Sequence, residues 1–418
     1  MKRVKKLTAT LALWAAASLP LQAAEPVTLG LNFPRSGPYK EEGLAQMRGA
    51  LLAIDEVNAQ GGVLGRPLRL VSKDSASRPE KAVRNVDKLA DEGAAMLFGG
   101  ASSAVAIAAG KRARERGLLY FGTLTYSNDT TGKDGHRYLF RECNNAWMSA
   151  AVLGKHLSKT QAGKQFFYIT ADYTWGHTSE SSLRQVTATQ DDQRHPGLKV
   201  PFPGARISDH QAALKQAAAS DAQVLVLVLF GEDLVRAIRI VGELGLNKRM
   251  QIVAPNLTQS IVEQAGPTLM QGVLGTEPWT WRVPALENSA RGQAFVSTFS
   301  ERYQVYPSSS AASAYSIVWQ WRDAVERARS LDSEAVIKAL EGHRYQLLKD
   351  QQEWRAFDHQ NAQSMYAVRV KERSEVLKDP LKQDYFEIVE RLSASETLPT
   401  LEQWQAERQS AGQPRQLQ

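Results

Sequence analysis

Two adjacent serines, Ser102 and Ser103, follow the glycine pair Gly99-Gly100 where an apolar run gives way to helical spacing. Such a helix start offers backbone N–H groups without intrahelical partners and a partial positive charge. Amides and hydroxyls there can together hold a carboxylate or a carbonyl oxygen of a small ligand. The alternative is that one serine only caps the helix. Groupings that would do covalent chemistry are missing: there is no His-Glu-x-x-His, no paired-cysteine metal motif, no P-loop and no Gly-x-Ser-x-Gly elbow, and the seven histidines are scattered. The first strand, with Leu29-Gly30-Leu31-Asn32, lacks the glycines of a dinucleotide fingerprint. The expectation is a binding protein with no catalytic residue, no metal and no cofactor.

The elements that must position the serines follow from the hydrophobic pattern. Residues 95–98 form a short apolar run of the buried parallel-strand type, a helix follows with Val105, Ala108, Ala109 and Ala113 at helical spacing, and Gly117 ends it before a further strand over 118–121. Upstream, a strand over 27–33, a helix over 43–59, a strand over 68–71 and a helix over 79–92 continue the alternation. After a polar loop at 127–135 the pattern starts again. Helices over 147–158, through 186, and over 208–219 and 233–244 alternate with strands over 166–170, 198–202, 224–230 and 251–254, with 172–176 as a loop. Alternation of this kind predicts a doubly covered parallel sheet in each of two similar lobes, with ligands at the carboxyl ends of the strands. Later, 273–281 reads as a segment between lobes, helices follow over 294–303, 311–328 and 333–341, and 352–357 and 365–370 read as paired strands with a turn at 358–361. From 393 onward the chain is polar, and no regular structure is expected of it.

At 418 residues, with 43% hydrophobic and 23% charged, the chain is ordinary globular protein and too long for one comfortable core. Residues 1–24 differ: Lys2, Arg3, Lys5 and Lys6 precede an apolar run over 7–19 and then Ala23-Ala24, the pattern of a secretory signal peptide. Losing those four basic side chains lowers the formal charge from +7 to +3, and the remaining lysines and arginines are dispersed, which gives no footprint for nucleic acid. Cys143 is the only cysteine, so no intramolecular disulfide is possible.

Several pieces together resemble the type I periplasmic solute-binding proteins of the branched-chain amino acid and amide group. They are Ser36-Gly37-Pro38, Gly49, Asn58-Ala59-Gln60-Gly61-Gly62-Val63-Leu64-Gly65, Asp74, and 99–103 with Gly117 beyond. The resemblance implies an α/β fold of two Rossmann-like lobes with parallel central sheets, joined by a three-strand hinge. The division it implies is a signal peptide over 1–24, one lobe from 25–142 with 280–362, a second from 143–279 with 363–395, and a polar tail over 396–418. Such proteins deliver a small-molecule ligand to an inner-membrane ABC permease, and a monomer is expected.

Carried over by position, Ser103 matches the family serine that holds the ligand's carboxylate or carbonyl, beside Ser102. Thr123, Thr125 and Tyr126 fall on a loop that supplies a hydroxyl and backbone contacts. Trp175 takes the place of an aromatic that closes from the second lobe, in Asp172-Tyr173-Thr174-Trp175, which is similar to the Asp-Tyr-x-Tyr of amide and urea binders. Phe230 falls where amino-acid binders often have tyrosine, and Asn256 where they have the glutamate that pairs with an ammonium. Those departures tell against a free α-amino acid, because a buried ammonium wants a carboxylate, although Glu232 and Asp233 are close in sequence and could substitute. Trp279 and Trp281 would add to an aromatic-walled cleft, and Arg35 and Arg141 could meet an acidic ligand or be paired structurally. On this reading the chain is a transport receptor. The alternatives are a sensor feeding a membrane histidine kinase and an enzyme on a similar scaffold. Ser103→Ala is expected to weaken ligand binding and leave the unliganded melting point nearly unchanged.

Overall fold

The structure, a computed structural model, describes residues 24–418; the expected signal peptide lies outside the described residues. Five strands, β1 (Val27–Phe33), β2 (Leu68–Asp74), β3 (Ala94–Gly99), β4 (Tyr120–Gly122) and β5 (Leu139–Arg141), form an all-parallel sheet in the order β2-β1-β3-β4-β5. The second lobe continues with β6 (Phe166–Ala171), β7 (Gly197–Val200), β8 (Val224–Val228), β9 (Gln251–Ala254) and β10 (Leu274–Glu277). A small antiparallel sheet, β11 (Arg344–Tyr345), β12 (Gln352–Trp354) and β13 (Asn361–Ala362), precedes β14 (Met365–Val370) and β15 (Phe386–Leu392). The second sheet runs β15-β14-β10-β9-β8-β6-β7, parallel from β7 to β10 and antiparallel in its last two strands. Every side chain of β8 is buried, as a strand covered on both faces requires.

Among the described residues three stretches cross between the sheets: 142–145, 278–282 and 363–364. Buried side chains lace them together. Lys349 donates to the carbonyls of Pro278 (2.6 Å) and Ser364 (2.8 Å), and Gln363 to that of Glu142 (2.5 Å). Burial pushes the Lys349 ammonium down to about 8.

Three expectations are corrected. Residues 352–357 and 365–370 do not pair with each other: β12 pairs with β11 and β13, and β14 with β10 and β15. The reason is that the turn between them is captured by the first sheet, where the Arg141 N–H donates to the His359 carbonyl (3.0 Å). The stretch 172–176 is not all loop, since Tyr173 is the N-cap of a helix, Thr174–Thr187. The end of the chain is ordered. Ser393 with Glu396, and Thr400 with Gln403, close reciprocal capping boxes that start the helices Ala394–Thr397 and Leu401–Ser410. The last helix leaves the second lobe's β15 and docks on the first lobe. The Trp404 indole donates to the Thr131 carbonyl (2.8 Å), and buried Arg408 donates to the carbonyls of Gly132 and Gly135.

Two outcomes follow. Trp404→Ala removes a buried aromatic and its hydrogen bond, and should lower stability by about 3–5 kcal/mol, read as a fall in the urea midpoint. His136 is buried with neither ring nitrogen partnered, and burial holds its pKa down to about 3 against 6.5. As pH falls from 6.5 toward 3 the unfolded chain takes this proton and the folded one does not, so stability falls through that window. His136→Phe should flatten that limb of the melting temperature against pH.

Candidate functional site

The glycine turn after β3 sets the floor of the interlobe cleft. Gly99 has φ +130°, and a Cβ there would lie 2.3 Å from the Asn32 carbonyl oxygen, so no other residue fits between β3 and β1. The Gly100 carbonyl accepts from Gln46 (3.0 Å) and from the Thr123 hydroxyl (2.8 Å), which locks the turn against β4. The helix Ser103–Glu115 starts there, and neither serine caps it. Ser102 occupies the N-cap with no side-chain cap bond, and the Ser103 hydroxyl instead accepts the Ser127 N–H at 2.9 Å. The Ser103 hydroxyl proton remains free to donate to an oxygen.

Ser127 belongs to the loop that carries Thr125 and Tyr126. The Thr125 hydroxyl is occupied by that of Thr130 (2.6 Å) and its N–H by the Cys143 sulfur (3.2 Å). Arg141, fully buried, holds the loop from below: it donates to the carbonyls of Thr125 (3.0 Å) and Ser127, to the Thr131 hydroxyl (2.6 Å) and to Gln360 (2.6 Å). Its role is structural, which settles the alternative raised by its position. Burial lowers its pKa to about 10, so it keeps its charge at neutral pH.

The opposite wall is aromatic. Phe230 stands at the centre, 5.4 Å from Tyr39, 5.9 Å from Tyr126 and 6.1 Å from Trp175, all edge-to-face, and Tyr173 stacks on Phe202 at 4.0 Å. Tyr39 and Tyr126 come from the first lobe and the other rings from the second, so the cluster spans the cleft in a closed arrangement. Gly231, at φ +58°, permits the approach: a Cβ there would sit 2.6 Å from the Tyr39 ring and 2.8 Å from the Pro38 carbonyl oxygen. Polar contacts close the rim, with Ser127 to Thr174 (2.9 Å), Asn128 to Ser182 (3.0 Å) and Thr258 to Glu42 (2.7 Å).

The structure therefore brings together Tyr126, Tyr173, Trp175 and Phe230, and places Ser103 behind Tyr126 through Ser127. Asn256 lies deeper, its amide donating to Ser149 (3.4 Å). Trp279 packs away from these rings, on Phe295 at 5.8 Å, but meets Thr123 and Tyr126 in a small cavity of about 20 Å³, also lined by Glu142, Lys349 and Gln352. That volume admits about one water. Sequence reasoning missed Tyr39, Phe202 and Glu42. Tyr39 was the most legible, since it follows the turn at the carboxyl end of the first strand.

Buried polar atoms without partners gather around the cleft: Trp175 Nε1 as a donor, and Asn256 Oδ1 and Asn144 Oδ1 as acceptors. Such atoms are costly unless a ligand satisfies them. Ser103→Ala would strand the buried Ser127 N–H, so the expectation of an unchanged unliganded melting point is revised. A loss of about 1–3 kcal/mol should appear in the unliganded protein's urea denaturation, together with weakened binding.

Comparison with known proteins gives a match to the family model described as "Periplasmic binding protein" over residues 26–375. A leucine-, isoleucine-, valine-, threonine- and alanine-binding protein of Pseudomonas aeruginosa is 25% identical over 348 residues, covering 82% of this chain and 90% of that one. A periplasmic binding protein of Burkholderia mallei superposes with a TM-score of 0.81 at 26% identity, covering 91% of this chain and 98% of that one. A branched-chain amino acid transporter substrate-binding protein of Streptococcus pneumoniae, solved with isoleucine, shares the fold at a TM-score of 0.72 and 21% identity, over 88% of this chain and all of that one (100%).

Proposed function

The chain belongs to the periplasmic binding protein family, and we propose that it is the substrate-binding component of an ABC uptake transporter, enclosing a small amino-acid-like or amide-like solute between its lobes and presenting the closed form to a membrane permease. The observation that carries this reading is the aromatic wall drawn from both lobes around Phe230, with unpartnered polar atoms beside it. A cleft that is mostly apolar with a few convergent polar groups is what small-molecule sites require. The relative from Pseudomonas aeruginosa is named for the amino acids it binds, which favours a ligand of that size. The family is one of solute-binding proteins rather than enzymes. A periplasmic location fits the family and the basic-then-apolar N-terminus, and no helix among the described residues is long and apolar enough to cross a membrane.

Closure is the working step. A ligand that touches both walls binds the closed form better than the open one, and shifts the population by that difference. A thermal-shift panel of branched-chain amino acids, amides, urea and aromatic acids tests the reading, after mass spectrometry of whatever purifies with the protein. A true ligand at about a hundred times its dissociation constant adds ~2.7 kcal/mol of stability. The same ligand should shrink the radius of gyration in solution scattering; binding with no such compaction would count against a clamshell receptor.

A further inference from the structure

The carboxylates along the gap between the lobes differ in what holds them. Asp129 of the first lobe accepts the Thr174 hydroxyl of the second, but its charge is already met by Lys133 (3.0 Å). Glu232 and Asp233 are bound by Arg236 within the second lobe, at 3.1 and 3.3 Å. Glu42 has no such partner. It is 3% exposed, among the described residues its carboxylate makes no ion pair, and it is held by three hydroxyls, those of Thr258 (2.7 Å), Ser260 and Ser310. A buried carboxylate persists when such donors take the place of water.

Two of those donors come from the other lobe. Glu42 and Ser310 belong to the first lobe, on the helices Lys40–Ala59 and Ser309–Ala328. Gly49 lets these helices touch, since a Cβ there would lie 2.1 Å from the Ala311 carbonyl oxygen. The carboxylate is thus set in place on its own lobe by Ser310. Thr258 and Ser260 follow β9 in the second lobe, at the start of the helix Gln259–Ala265. Thr258 is the N-cap of that helix, where a threonine hydroxyl ordinarily accepts an N–H of its own first turn. Here it makes no cap bond: the side chain is fully buried and its hydroxyl donates across the gap to Glu42. The hydroxyl gives up its local role for a bond that exists only while the lobes are together.

We propose that Glu42 is a clasp: it accepts the Thr258 and Ser260 hydroxyls when the lobes meet, and so keeps a fraction of the protein closed before any ligand arrives. Every group in the clasp belongs to the protein, and none needs a ligand to make its bond. Opening exposes Thr258 and Ser260 to water. Removing the carboxylate therefore leaves dry, unpaired hydroxyls in the closed form alone, which tilts the balance toward open. Because no ligand atom takes part, Glu42 scales the affinity of every ligand by one factor and leaves selectivity unchanged. The clasp rests on the closure proposed above but on no ligand, so the transport reading and the clasp fail separately.

Cys143 is buried, so spin labels go only to cysteines introduced by Lys88→Cys and Lys215→Cys, exposed positions on the first and second lobes. Dipolar distances between the labels are measured in the full chain dialysed free of small molecules, alone and with Glu42→Gln, Thr258→Val or Thr258→Ser. The expected result is two populations, one of them at the distance of the closed structure. The ratio of closed to open should fall roughly tenfold in Glu42→Gln and in Thr258→Val, as loss of a charged hydrogen bond implies, and stay near its starting value in Thr258→Ser, which keeps the hydroxyl. A role confined to packing within one lobe would instead lower the urea midpoint and leave the ratio alone. Should Glu42→Gln fail to fold, Thr258→Val decides, because it leaves the carboxylate and its Ser310 bond in place. The clasp is overturned by a starting protein with no closed population, by a closed population that Thr258→Val leaves intact, or by a Thr258→Ser protein as open as Thr258→Val.

Discussion

The buried guanidinium of Arg141 is the interaction on which the rest of this molecule depends. It sits at the end of β5 with no carboxylate among the described residues in ion-pair range, and spends its donors on the Thr125–Thr131 loop and on Gln360. A buried charge without an ion-pair partner is tolerated when hydrogen bonds take up its donors, here four of five, so the loop and the charge hold each other in place. That loop presents Tyr126 to Phe230, fixes Ser127 on Ser103, and sends Ser127 and Asn128 to the second lobe. The C-terminal helix grips its outer side, through Trp404 on the Thr131 carbonyl. The loop is thus held from both sides, and the first lobe offers a rigid surface for the second to close on.

The hinge follows the same economy of buried donors. Gln360 accepts from Arg141 through its carbonyl oxygen and donates to the Cys143 carbonyl at 2.8 Å, which links the loop's anchor to the first crossing stretch. Lys349 ties the second crossing to the third. Peptide groups in all three crossings are thereby paired by side chains rather than by a continuous ladder, and such pairings can tilt without breaking. A hinge of this kind bends at its ends while its middle stays intact.

The sheets were legible in the sequence because parallel strands covered on both faces read as apolar runs, and helices between them read at their own period. Residues 224–230 and 251–254 are examples. The serine turn was legible too, since Gly99 has a local steric reason to be glycine. What the hydroxyls do was not. Thr125 is occupied by Thr130, five residues on, and Ser103 by a backbone group on a different strand's loop. The hairpin over 352–370 was misread because its turn is held by Arg141, more than two hundred residues earlier. The terminal helices did carry signals, in Ser393 with Glu396 and Thr400 with Gln403, but polar composition outweighed them.

The closed, empty cleft also contains opposing forces. Edge-to-face contacts around Phe230 favour closure, each by about 0.5–1.5 kcal/mol beyond burial. The unpartnered Trp175 nitrogen and the amide oxygens of Asn144 and Asn256 oppose it, because closing removes water from atoms that receive nothing in return, at about 1–3 kcal/mol each. These terms act against each other in the closed, empty protein. A ligand that repairs the polar deficit leaves the aromatic gain unopposed. Selectivity and closure then have one origin: the molecule that satisfies the stranded atoms is the molecule that shuts the lobes, and one that fills the space without satisfying them does not.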